Sequence, residues 1–109
     1  MERALSANIF LNMGFQVLGT ADLNQDFDAL VEKLNDFLDD QVQDVDASLD
    51  LGLQTIDLSA EVSGANFLDA EEVGRRVLTE LIANSLPRLS FEVVSSDASL
   101  ARKQLISGF

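Results

Sequence analysis

The spacing at which apolar residues recur changes along this chain, and the changes limit the folds open to it. Leu5, Ala7, Ile9, Leu11, Met13, Phe15 and Val17 fall at every second position, with Ser6, Asn8, Phe10, Asn12, Gly14 and Gln16 between them. Successive side chains of a strand point to opposite faces, so this segment predicts a long strand with one buried face. The spacing then becomes three and four. Phe27, Leu30, Val31, Leu34, Phe37 and Leu38 form one stripe of an amphipathic helix that Asp22 or Asn24 can cap. Period two returns with Val45, Ala47, Leu49 and Leu51, which alternate with Asp44, Asp46, Ser48 and Asp50. After Gly52 the parity flips to Ile56, Leu58, Ala60 and Val62, which predicts two strands joined by a turn around Gly52, Leu53 and Gln54; a single bent strand is the alternative. Asp69 followed by Glu72 has the spacing of a capping box, with Asp69 as the cap. Ala70, Val73, Val77, Leu78, Leu81, Ile82 and Leu86 continue as a second helical stripe, which Pro87 ends. Gly74 interrupts that helix, and a close approach to the sheet would explain it. Leu89, Phe91 and Val93 alternate with Ser90 and Glu92 as a last strand.

Strand, helix, strand, turn, strand, helix, strand resembles the ferredoxin-like split β-α-β fold. The resemblance lies in the order of elements over residues 4–95 and carries no family motif. It implies an α+β sandwich: a four-stranded antiparallel sheet with two helices on one face. One domain over residues 1–96 is expected, within the usual single-domain range, followed by a tail over 97–109. In the tail, Asp97 as a cap with Leu100, Leu105 and Ile106 suits a short helix. The fold hosts many activities, so function has to be read from the residues themselves.

The charge is uneven. The chain holds 19 acids and 7 bases, and from Asp22 to Glu72 there are 15 acids and only Lys33 as a base. Such a surface repels phosphates and anionic lipid headgroups, so direct nucleic-acid or membrane binding is not expected. The acidity is accounted for by solubility, by a docking surface for a basic protein, or by adaptation to high salt. The free face of the sheet is expected to carry Asp44, Asp46, Asp50, Asp57 and Glu61, the candidate partner-binding face. It offers one aromatic, Phe10, and no Lys or Arg, where RNA-binding sheets need aromatics and bases, and it lacks the apolar surface of a face-to-face dimer. A homodimer through a sheet edge or the C-terminal tail stays open. There Arg102, Lys103 and Phe109 are the candidate contacts, reaching either their own domain or another subunit's acidic surface.

His, Cys and Tyr are absent, which removes His- and Cys-based nucleophilic and metal chemistry. The six glycines are scattered and form no phosphate-binding loop. Asp44, Asp46 and Asp50 have the spacing of a calcium loop, but Leu49 stands where the turn glycine belongs. Their alternation with Val45, Ala47 and Leu49 fits the solvent face of a strand better, so no metal and no cofactor are expected. Arg75 and Arg76 fit a solvated helix face paired with Glu72 and Glu80. No cysteine, no basic and apolar leader and no long apolar run fit a cytoplasmic protein. The leading expectation is a non-enzymatic interaction or accessory domain. An acidic mimic of nucleic acid that binds a basic protein, as some phage inhibitors do, and a carboxylate-based cation or small-ligand binder are the alternatives.

Overall fold

The computed structural model describes residues 7–19, 23–37 and 39–100. Its elements are β1 (Ala7–Leu18), α1 (Leu23–Asn35), β2 (Val42–Asp50), β3 (Thr55–Gly64), α2 (Phe67–Ser85) and β4 (Ser90–Leu100). The strands form one antiparallel sheet in the order β2-β3-β1-β4, the arrangement implied by the resemblance in element order to the ferredoxin-like fold. The turn at Leu51–Gln54 makes β2 and β3 a hairpin and not one bent strand. Asp50 Oδ1 accepts from the Leu53 N–H at 3.0 Å, and Gln54 has a φ of 56°. Gln16 Nε2 donates to the Leu53 carbonyl at 2.7 Å, which ties the hairpin tip to β1.

One face of the sheet is the core. Ile9, Leu11, Met13, Phe15 and Val17 of β1 and Ile56, Leu58, Ala60 and Val62 of β3 are buried together with Ala70, Leu78 and Ile82 of α2. α2 lies over β1 and β3, while α1 packs beside it against β2. Gly74 is where α2 meets the sheet: a Cβ there would come 2.7 Å from Leu11 Cδ2 and 2.8 Å from Val62 Cγ2. A glycine that weakens the helix by about 1 kcal/mol against Ala is retained because the helix could not otherwise seat this closely.

Several boundaries differ from expectation. The cap of α2 is Asn66, whose side chain accepts from the Asp69 N–H at 2.8 Å, so the helix starts before the expected Asp69. Asp69 takes the third helical position and its Oδ2 accepts from the Ala65 N–H at 2.9 Å, a reciprocal arrangement close to a capping box. α1 stops at Asn35, short of Phe37, and its end tightens through the Phe37 N–H to Leu34 carbonyl bond at 3.1 Å. Asn24 lies inside α1, while Asp22 and Leu38 lie outside the described residues. At the other end of the chain, β4 continues to Leu100. The expected boundary at residue 96 therefore falls within a strand, and Asp97–Leu100 are extended and not helical. Residues 101–109, with Leu105 and Ile106, lie outside the described residues.

Candidate functional site: an acidic sheet face

The strand register builds the face opposite the helices row by row. On β1, Phe10 sits between Glu61 and Ser99, Asn12 between Ser59 and Asp97, Gly14 between Asp57 and Ser95, and Gln16 between Thr55 and Glu92. β2 extends these rows, placing Gln43 beside Glu61, Asp46 beside Ser59, Ser48 beside Asp57 and Asp50 beside Thr55. The face thus carries six carboxylates: Asp46, Asp50, Asp57, Glu61, Glu92 and Asp97. None of the four strands contains Lys or Arg.

The acids are spread out. Each has a neutral cross-strand neighbour, and no two stand directly opposite each other. Directly opposed like charges destabilise a sheet, while diagonal neighbours lie about 7–8 Å apart. At the centre, Gly14 leaves room for its neighbours: a Cβ there would come 2.5 Å from Ser95 Oγ and 2.9 Å from Asp57 Oδ1. This arrangement suits a distributed cationic surface better than a single ion. Asp46 and Asp50 are roughly 13 Å apart along their strand. No group of three or more acidic side chains among the described residues converges as a metal site would require.

Asp44 does not belong to this face. The register passes from Gln43 opposite Glu61 to Asp46 opposite Ser59, leaving Asp44 and Val45 together against Ala60 in a bulge. Asp44 has a φ of 56° and lines a cleft on the α1 side with Leu34, Phe37, Asp39 and Val42. The period-two count extended a regular strand through a place where the strand carries an extra residue. Buried Val42, which shares the parity of the acids, is the sequence sign of that break. A second bulge does the same in β4. Phe15 pairs with Val93 and Gly14 with Ser95, leaving Val94 extra. Beyond it Asp97 joins the acidic face, a member missed because the strand was expected to end before it. The apolar doublet Val93-Val94 is the signal that could have found it.

The remaining expected contacts are elsewhere. Arg75 Nη1 lies 3.9 Å from Glu71 Oε2, a partly exposed pair on α2 at the four-residue spacing of a helix face. Such a pair contributes roughly 0.3–0.5 kcal/mol. Arg102, Lys103 and Phe109 lie outside the described residues.

No protein-family model and no curated protein matches this chain. A solved structure titled "Structural Genomics, protein YJCS" matches with a TM-score of 0.56 and 16% identity, covering 85% of this chain and 97% of that one. At that identity the likeness is one of fold. Among the described residues, no helix is long and apolar enough to cross a membrane.

Proposed function

We propose that this protein is a non-enzymatic interaction domain of the cytoplasm whose acidic sheet face receives a basic protein. The observation that carries this reading is the six-carboxylate face built on strands with no Lys or Arg. Like charges on one face raise the energy of the free domain, and a cationic partner relieves that repulsion and is steered toward it.

The purely anionic character of the face favours mimicry of nucleic acid as a second, narrower reading. Four rows two residues apart span roughly 20 Å. Six carboxylates and no base fall within that length on three of the four strands, a patch of like charge that a basic nucleic-acid-binding surface would attract. On this reading the basic partner is itself a nucleic-acid-binding protein, and duplex DNA or RNA competes with the domain for it.

The test is affinity capture with the wild type and with a variant carrying Asp46→Asn, Asp50→Asn, Asp57→Asn and Glu61→Gln. Basic proteins held by the wild type and lost from the variant are the expected result. The same proteins held by both would sink the proposal.

A further inference from the structure

Both edge strands of the sheet carry a bulge and acids, and β4 is the longer of the two. β2 is interrupted by its bulge at Asp44 and Val45 and carries three acids along 9 residues. β4 offers 11 residues, roughly 33 Å of backbone, and among the described residues no strand pairs with its outer side. It contains neither Pro nor Lys, two common guards of an exposed edge. Past its own bulge, Ser95–Leu100 runs in regular register against β1.

The two sides of β4 also differ in chemistry. On the helix side stand Phe91, Val93, Ala98 and Leu100, and α2 lies over β1 and β3 and leaves these residues partly open. Val93 is 48% exposed and Leu100 49%. A groove of about 290 Å³ runs between α2 and β4, lined by Thr79, Ala83, Pro87, Leu89, Phe91 and Val93. At its base Phe15 and Phe91 meet edge to face, with ring centroids 6.4 Å apart. On the other side, Glu92 and Asp97 border the edge.

We infer that the β4 edge takes up an extended segment of the basic partner as a fifth strand, its apolar side chains entering the groove and its alternate, basic side chains facing Glu92 and Asp97. Main-chain hydrogen bonds to the open edge supply affinity, and the alternation of side chains supplies specificity. Charge complementarity selects this occupant over a second copy, which would bring its own Glu92, Asp97 and net charge of −12 to the same edge. The inference rests on the reading that the partner is cationic.

The experiment uses two labelled peptides of equal composition, one alternating Lys and Val, the other with its Lys and Val in separate blocks. Each is titrated by fluorescence anisotropy against the full chain. The alternating peptide is expected to bind at least tenfold more tightly. Val93→Gln with Leu100→Gln, at half-exposed positions, is expected to remove that preference and leave the weak binding of the blocked peptide unchanged. Equal binding of the two peptides to the wild type would overturn the inference. So would a wild-type dimer in light scattering that the same double variant dissociates, because the edge would then belong to a second copy. If the preference is missing but Asp46→Asn with Asp57→Asn still weakens both peptides, the edge inference falls and the acidic-face proposal stands. If neither variant changes anything, both fall.

Discussion

Asp44 and Asp46 are two residues apart and have different surroundings, which makes them a useful pair for testing the face. Asp46 lies in register with Ser59 on the free face, while Asp44 sits in the bulge and turns toward the α1 side. Asp46→Asn is therefore expected to weaken a basic partner about threefold, and Asp44→Asn to leave its affinity unchanged. Titration of the same captured partner with both variants measures this, and equal losses would place Asp44 back on the face. Gly74 tests packing at the same scale. Gly74→Ala gains about 1 kcal/mol of helix propensity. It also forces Leu11 and the stiff side chain of Val62 to shift in a filled core, and overpacking of this kind costs about 1–3 kcal/mol. A net loss of roughly 1 kcal/mol in urea unfolding is expected, and a gain would show that the core yields more readily than its geometry suggests.

At the scale of elements, α2 depends on a cap that spacing alone placed three residues too late. Asn66→Ala removes the acceptor of the Asp69 N–H and should lower stability by about 1 kcal/mol. Asp69→Asn, which keeps an acceptor for the Ala65 N–H, should cost less than half of that, and urea unfolding of the two variants checks the order. The elements themselves were legible in the sequence, because a period of two or of three to four reports which face meets the core. The four strands, both helices and the hairpin all follow from it. What periodicity does not carry is the single extra residue of a bulge. The bulge at Asp44 misplaced one acid of the candidate face, and β4's run past Val94 hid another, Asp97. In each case an apolar residue out of step, Val42 or Val94, was the trace left in the sequence. Asp46, Asp50, Asp57 and Glu61 lie on the side opposite the helices, as their alternation implies, because they fall in regular stretches of register.

At the scale of the whole molecule the charge sets behaviour in solution. Acids are also found on α1, with Asp28 and Glu32 exposed to solvent, so the net charge of −12 is not confined to the sheet. Its self-repulsion is screened as the Debye length falls from about 30 Å at 0.01 M salt to about 3 Å at 1 M. Added NaCl should therefore raise the melting temperature by a few degrees and weaken any basic partner over the same range. The fold supplies what the charge count alone does not, a face on which the acids are held apart and an adjacent edge strand, β4, whose outer side is unpaired among the described residues. The most direct measurement of that placement is a map of amide chemical shifts in the labelled protein titrated with tetralysine. The expected result is perturbation centred on positions 46, 50, 57, 61, 92 and 97, with Asp28 and Glu32 of α1 little moved. Equal or larger shifts along α1 would contradict the assignment of the sheet face as the binding surface.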